Sequence, residues 1–532
     1  MRRILGFIHR YVKLLIAFSI TIILFIVHLN LRTYAFDDAY IHFRVAMHLA
    51  EFGEPYFNLG EAVMASSSTG WTILLSLCIR SLHILDISVD PPILVSLINT
   101  IASTAGAYLY TTLFTRLVQR PTSWAFKIIF FIAYLGMILP ASVGLMETPT
   151  VMLLAGLALL LLMNRNRWSL VIIGSLPFFR PELAVVTGLL GLFILYTKRF
   201  LLKEVLFCYI LGALPFVLFE LYFFKTLIPN TMIAKSVVYS LTYIATFKYF
   251  IEKIFDDLAL LGMVVNISLV QKLYFAGFEL WVIVSVLVIN IYKAVRQYLT
   301  HKLLEEKDVY SLLLISWCGI IVSIYLYKQV FIFNWYDPLY TVPLLLLIGK
   351  AISDGKSKGV TLTSWIMVLP LLLGQLSSLA QVGMGAFIDP RYTPEFLICA
   401  RVRNYIDIGR KLYDQFPDAK LMTAEIGGLG YGFKGYIYDG VGLVSPDALK
   451  YHPINPTNNY GGIPAGFVEE KQPDLIVSYD VFMQDLLESR VLDGYAHYRY
   501  PLLLEDDMQR TEYELFFKSE FLNVFVSNDL LP

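Results

Sequence analysis

Long apolar blocks alternate with short, mostly basic polar runs along the first part of the chain; Leu14–Val27, Val151–Met163 and Trp365–Leu373 are three such blocks. A membrane-spanning helix needs about 20 apolar residues, and positive charge collects on the cytoplasmic side. Arg2, Arg3, Arg10 and Lys13 precede a first span near 11–31, so the N-terminus is expected inside. No small-residue cleavage site follows this block, which therefore reads as a retained anchor. Basic runs recur at Arg116, Arg120 and Lys127, at Arg165 and Arg167, at Lys198, Arg199 and Lys203, from Lys293 to Lys307, and at Lys350, Lys356 and Lys358. If all of these are cytoplasmic, the spans between them come in pairs. They fall near 93–114, 126–144, 149–163, 169–179, 182–197, 205–224, 274–292, 309–328, 336–350 and 359–380. With the first span this makes about 11 crossings, and the C-terminus lies outside.

Trp71–Leu85 breaks the pattern, being short and carrying Arg80 at its middle. A central arginine costs a spanning helix roughly 2.5–3.5 kcal/mol. It is therefore expected as an interfacial or re-entrant helix within an external loop spanning 32–92. After Gln381 the pattern changes to mixed charge, turn signals such as Asp389-Pro390 and Gly427-Gly428, and short strand-like runs at Tyr436–Tyr438 and Leu475–Ser478. A helix is expected over Pro394–Phe416. The fold class is thus a polytopic α-helical membrane domain over 1–381, followed by an extracytoplasmic α/β domain over 382–532.

Composition agrees. The 532 residues are 57% hydrophobic and 16% charged, against about 45–50% and about 25% in soluble domains. That excludes a soluble enzyme, a disordered chain and a fibrous repeat. The net charge is zero, which leaves no basic field for nucleic acid. Cys78, Cys208, Cys318 and Cys399 are too scattered for a disulfide or zinc framework.

Four expected external turns carry charge. Asp37 and Asp38 follow the first span directly; one of them can cap the helix Ala39–Phe52, which leaves the other to be explained. Asp37, Arg44, His48 and Glu51 share one stripe of that helix. Glu147 sits in the turn Met146–Pro149, where it either favours the helix start or serves a site. Arg180-Pro181-Glu182 interrupts an apolar stretch, as a functional pair or as an internal ion pair at a hairpin tip. Lys225 and Lys235 flank Leu227–Thr231, as phosphate ligands or as snorkelling side chains. Ser66–Gly70 reads as a polar turn, Asn334–Asp337 as an aromatic boundary, and the sequon at Asn266 carries no weight.

On these residues the chain resembles the GT-C class of membrane glycosyltransferases, most closely the branch that contains the mycobacterial terminal arabinofuranosyltransferases. The likeness rests on Asp37, Asp38, Ala39, Tyr40, Ile41, Phe43 and Arg44; on Phe57, Asn58, Gly60 and Glu61; and on Trp71, Thr72, Leu74 and Leu75. It continues through Gly144 to Pro149, Arg180-Pro181-Glu182, Leu227 to Thr231 with Ala234 and Lys235, Glu425–Tyr431 and Gly442–Pro446. The chain departs from the branch at Ser66–Gly70, where a Gly-Tyr-Thr-Asn type of turn is usual.

The resemblance implies a GT-C fold and transfer of a sugar, arabinofuranose or another pentose or hexose, from a polyprenyl-phosphate donor. The acceptor would be an envelope glycan, lipid or glycoprotein on the outer face of a bacterial inner (plasma) membrane. Asp38, with Asp37 second, would accept the acceptor's proton. Glu147 and His42 would orient the acceptor or a metal; relatives divide between those using a divalent cation (Mg or Mn) and those without one. Arg180, Lys235 and Arg44 would neutralise the donor phosphate, and the tail would help bind the acceptor. A transporter or flippase of lipid-linked sugars, or a scaffold that binds such lipids without turnover, are the readings from other classes.

Overall fold

A computed structural model describes residues 2–118, 121–239, 243–246, 287–288, 290–292, 294–300, 305–329, 333–354, 358–394, 396–454, 461–501 and 521–531. Its first part is helical: α1 (Arg2–Leu31), α2 (Asp37–Phe52), α3 (Thr69–Ile84), α4 (Pro91–Leu117), α5 (Trp124–Val143), α6 (Thr148–Met163), α7 (Trp168–Phe179), α8 (Leu183–Tyr196) and α9 (Leu202–Phe223). Then come α10 (Asn230–Val238), α11 (Glu306–Lys328), α12 (Pro338–Ser353) and α13 (Lys358–Phe387).

Among the described residues four helices, α4, α5, α9 and α11, are long and apolar enough to cross a membrane. The expected count of about 11 is therefore corrected. α6 and α12 have 16 residues, α8 has 14 and α7 has 12. At 1.5 Å per residue these reach only about 18–24 Å, short of a hydrocarbon core of about 30 Å. Pro181 ends α7: the residue before a proline is pushed out of the helical region, and Arg180 is extended at φ −152°, ψ 117°, while Pro177 is accommodated inside the helix. α3, expected not to span, has 16 residues, with Trp71 buried and Ile84 exposed. The span expected over 274–292 and the sequon at Asn266 lie largely or wholly outside the described residues.

Packing between the helices uses small residues and buried hydroxyls, as it must where apolar surface gives little preference for protein over lipid. A Cβ on Gly212 would stand 2.0 Å from the Val171 carbonyl oxygen, and one on Gly174 2.4 Å from that of Tyr209, so α7 and α9 cross in close contact. His28 Nε2 bonds Ser142 Oγ at 2.7 Å, Ser103 bonds the same oxygen at 2.9 Å, and Asn99 donates to the Met146 carbonyl at 3.0 Å. This network ties α1, α4 and α5 to the turn at 144–147. At the opposite end of the bundle Lys350 pairs with Asp308 at 3.1 Å, and Arg199 pairs with Glu306.

α13 runs on to Phe387, past the boundary expected at 381. The tail is the expected small α/β unit. It contains α14 (Phe396–Gln415), β1 (Leu421–Thr423), α15 (Gly427–Phe433), β2 (Ile437–Asp439), α16 (Ala465–Lys471), β3 (Leu475–Tyr479), β4 (Tyr495–Pro501) and β5 (Phe521–Ser527). The sheet order is β2-β1-β3-β5-β4. The first three strands are parallel, with Leu421 opposite both Ile437 and Leu475, and β5 is antiparallel to β3 and β4. Ile41, Val45 and Phe57 pack into the same core as Leu429, Phe433 and Ile437, so the tail and the α2 region share one interior.

Candidate functional site

α2 serves two partners with its two faces. Phe36, not an aspartate, takes the cap position, and both acids lie in the first helical turn. Successive residues of a helix diverge by about 100°, so adjacent carboxylates reach different neighbours. Asp37 turns to the tail and accepts the Gly427 and Gly428 amides at 2.9 and 2.8 Å. A Cβ on Gly427 would lie 1.9 Å from the Asp37 carbonyl oxygen, so only glycine permits this approach. One face further on, Arg44 gives Nε to the Phe57 carbonyl at 2.8 Å and its other nitrogens to the Gly430 and Gly435 carbonyls at 2.5 and 2.6 Å. Its guanidinium also lies 4.5 Å from the Phe57 ring centre. Every nitrogen of Arg44 is engaged inside the seam, which corrects its expected role as a donor-phosphate ligand. His48 bonds the Tyr56 carbonyl at 2.7 Å and Glu51 is exposed, so the charged stripe of α2 is mostly a docking face. Asp37 belongs to it as well, and is not one of the residues that line the cavities described next.

Asp38 and His42, one turn apart, face away from that seam, toward Lys235 and Glu147. Lys235 of α10 reaches Asp38 at 3.0 Å and lies 4.8 Å from the Phe333 ring centre. α10 is itself fixed by Asn230, whose side chain donates to the Gly442 and Leu443 carbonyls at 2.7 and 2.8 Å, and whose amide donates to the Met64 carbonyl at 3.2 Å. Lys225, the other expected cation, bonds the Tyr222 carbonyl on the exposed surface and does not join the site.

The turn at 144–147 delivers a second carboxylate. Leu145 is left-handed at φ 59°, an uncommon state for a branched residue. Gly144 abuts the Phe36 ring so closely that a Cβ would sit 2.2 Å from it. Glu147, fully buried, is met by Arg180 at 2.5 Å and by the Ser68 hydroxyl at 3.2 Å. Arg180, extended because Pro181 follows it, also forks onto Glu182 at 2.8 and 3.2 Å and stacks 4.0 Å from the Tyr336 ring centre. Tyr325 donates to Glu182 at 3.0 Å. The Arg-Pro-Glu turn thus carries the internal ion pair of one reading, and Arg180 and Glu182 both line a cavity.

Donor counting assigns the His42 tautomer. Ser66 Oγ accepts from Thr72 Oγ1 at 2.9 Å and from the Ser68 amide at 3.1 Å, so its own hydrogen goes to His42 Nδ1 at 2.9 Å. The ring proton then sits on Nε2, facing Glu147 Oε2 at 3.7 Å, an oxygen that has no hydrogen-bond partner among the described residues. Burial keeps His42 below the usual imidazole range despite the nearby Glu147, so the ring is neutral. Burial alone would raise the Asp38 carboxyl, but the Lys235 charge and hydrogen bond, helped by the Arg180 charge, outweigh it and hold Asp38 below its ordinary value. Asp37 goes the other way: burial and the Glu425 charge push it up to about 7 against the two amides.

Two cavities meet here. An outer one of about 300 Å³ has apolar walls at Val185, Met232, Ile324 and Phe333, with Arg180, Lys235 and Lys328 as its cations. An inner chamber of about 10 Å³ is bounded by Asp38, His42, Ile41, Ala65 and Leu443. Ser67, Arg180, Thr231 and Lys235 line both. Anionic amphiphiles suit the outer space: apolar walls lead to fixed cations stacked on aromatic rings. A divalent cation suits the site poorly. No three His, Cys, Asp or Glu side chains converge as ligands among the described residues, and Lys235 and Arg180 already oppose the two carboxylates.

The structure thus brings Asp38, His42, Glu147, Arg180 and Lys235 together and sends Asp37 and Arg44 to the seam. Sequence reading missed Tyr325 and Phe333, gave Leu443 no role of its own within the run Gly442–Pro446, and missed Glu220, which accepts from Thr69 at 2.7 Å. Aromatic and apolar residues carry no local sign of lining a cavity. Glu220, an acid inside the apolar block 205–224, did carry such a sign. No family model matches the chain, and no curated protein is similar enough in sequence to be matched.

Proposed function

We propose that the chain is an integral-membrane glycosyltransferase that moves a sugar from a polyprenyl-phosphate donor to a hydroxyl of a cell-envelope glycan or glycoconjugate. The observation that carries this reading is the Asp38–Lys235 pair at 3.0 Å, standing where a chamber for a small polar group opens into an apolar-walled cavity with cations at its mouth. The carrier lies along the apolar wall, and its phosphate meets Lys235, with the Arg180 charge behind it. As the acceptor oxygen bonds the anomeric carbon, the bond from that carbon to the phosphate oxygen breaks and the electron pair leaves with the polyprenyl phosphate. The acceptor's proton passes to Asp38. Cations fixed at the departing oxygens stabilise charge as it develops.

Lys235 has a double part in this scheme. Before the donor arrives it holds Asp38 ionised. When phosphate draws the ammonium away, the carboxylate becomes a better base at the moment it is needed. Arg180 has all three nitrogens on Glu147 and Glu182 and stacks on Tyr336, so it contributes its charge at the cavity wall and holds the two carboxylates in place, while neutral His42 donates from Nε2 to the acceptor oxygen.

The test uses the purified full-length protein with short-chain polyprenyl-phosphate pentoses and hexoses and a panel of envelope acceptors. Transfer is expected for the wild type and lost in Asp38→Asn. Transfer that survives Asp38→Asn, Asp37→Asn and the double variant overturns the reading. Donor flux across proteoliposomes without any acceptor would favour a flippase instead.

A further inference from the structure

The four residues that line both cavities, Ser67, Arg180, Thr231 and Lys235, differ in what their donors already meet. Arg180 has all three nitrogens on Glu147 and Glu182. Lys235 gives Nζ to Asp38 at 3.0 Å. Ser67 is half-buried, where water can satisfy its hydroxyl. Thr231 stands apart: it is 6% exposed, and its Oγ1 is buried with no hydrogen-bond partner among the described residues. A buried hydroxyl without a partner destabilises the folded chain and calls for an explanation. A ligand of the cavities that Thr231 lines would supply one.

The surroundings of Thr231 select the charge of that ligand. Thr231 is in the first turn of α10, and no side chain caps that end. The free amides of a helix start carry partial positive charge and favour an anion. Lys235 lies one turn on along the same face, adding a full charge. The turn is also held in place, since Asn230 ties it to the Gly442 and Leu443 carbonyls and to that of Met64. Rotation about the Thr231 Cα–Cβ bond exchanges hydroxyl and methyl within nearly the same space, so the hydroxyl can turn to an arriving oxygen without moving the backbone.

We propose that the Thr231 hydroxyl is a ligand of the phosphate of an isoprenoid-type amphiphile, donating to a phosphate oxygen beside the Lys235 ammonium. The inference rests on the phosphate placement of the transferase reading and adds to it a neutral donor, which gives direction where Lys235 gives charge. Arg180, with its nitrogens already engaged, leaves that directional contact to Thr231.

The experiment measures binding of farnesyl phosphate, farnesol and inorganic phosphate to the full-length protein in detergent by calorimetric titration, and thermal unfolding without ligand. Wild type is expected to bind farnesyl phosphate more tightly than either of the others. Thr231→Val should weaken that binding by about tenfold or more, the loss expected for one hydrogen bond to a charged group. Thr231→Ser, which keeps the hydroxyl, should stay within about threefold of wild type. Without ligand, Thr231→Val should melt at or above the wild-type temperature, because a methyl replaces a hydroxyl that has no partner; Thr231→Ala supplies the binding comparison if the valine variant does not fold. Unchanged affinity on loss of the hydroxyl overturns the inference, since water or a sugar is then its only partner, and leaves the transferase reading intact. A valine variant that melts below wild type also overturns it, because the hydroxyl is then structural. Equal binding of farnesol or of inorganic phosphate by wild type overturns the ligand class. Wild type that binds no farnesyl phosphate removes the transferase reading and the inference together, whereas the expected binding without any sugar transfer removes the transferase reading alone.

Discussion

Replacing Asp37 by alanine should loosen the tail from the membrane domain. The substitution removes two hydrogen bonds, at 2.9 and 2.8 Å, and strands the Gly427 and Gly428 amides in a buried seam. Bonds to a charged acceptor contribute about 1.5–3 kcal/mol each. Because the carboxyl is pushed up to about 7 and is only partly ionised near neutrality, the low end applies, giving ~3 kcal/mol for the pair. For a unit of the tail's size that lowers the melting temperature by about 6–12 °C. The assay is thermal unfolding of the full-length protein in detergent, with limited proteolysis near residues 388–394 reporting release of the tail. The pH dependence has a definite sign. The folded state binds the Asp37 proton more tightly than the unfolded chain, so its stabilisation is complete below the ordinary carboxylate range and is lost as pH rises through about 7. Tail stability should therefore fall from pH 5 to pH 8. Asp37→Asn should flatten this slope to the part that Glu425 and Asp439, also raised by burial, contribute. An alanine variant that melts within about 2 °C of wild type would refute the assignment of Asp37 to docking, since the lost bonds would then be worth under 1 kcal/mol.

Two more expectations follow from the same geometry. Arg44→Lys keeps the charge but satisfies one carbonyl where the guanidinium satisfied three; it should cost the tail's transition ~3 kcal/mol or more, while KM for the polyprenyl-phosphate donor stays at the wild-type value, as a phosphate ligand's would not. Lys235→Met removes what holds the Asp38 carboxyl low against burial, so the acidic limb of kcat/KM against pH should move upward, and a limb that stays in place would separate Asp38 from the reaction.

Much of the site was legible because charge in apolar surroundings is costly and therefore conspicuous. Glu147, Arg180 and Lys235 stand out from their neighbours, and each lines or borders the junction of the two cavities. Asp37 and Asp38 were equally conspicuous, but sequence could not separate them. Their difference depends on which partner lies across each face of α2, and one of those partners is nearly 400 positions away at Gly427. Arg44 misled for the same reason: its charge is visible, whereas the three carbonyls that consume it belong to backbone, which has no sequence signature. In the fold, β2, β3 and α14 lay within a residue or two of their expected places because their runs are short and bounded by turns. β4 and β5 carry no comparable turn-bounded run, and among the described residues α7 and α8, with 12 and 14 residues, are shorter than charge alternation alone implies.

The seam between α2 and α15 also offers leverage from outside the apolar cavity. Asp37 grips the tail and Asp38 touches the chamber on a single rigid turn, while Asn230 makes a second tie next to the loop that carries Leu443. A water-soluble binder that wedges this joint apart would pull the Asp38 carboxylate, the Lys235 ammonium and the Leu443 loop out of register together. If the proposed transferase reading holds, such an inhibitor would not have to compete with a greasy carrier for its groove.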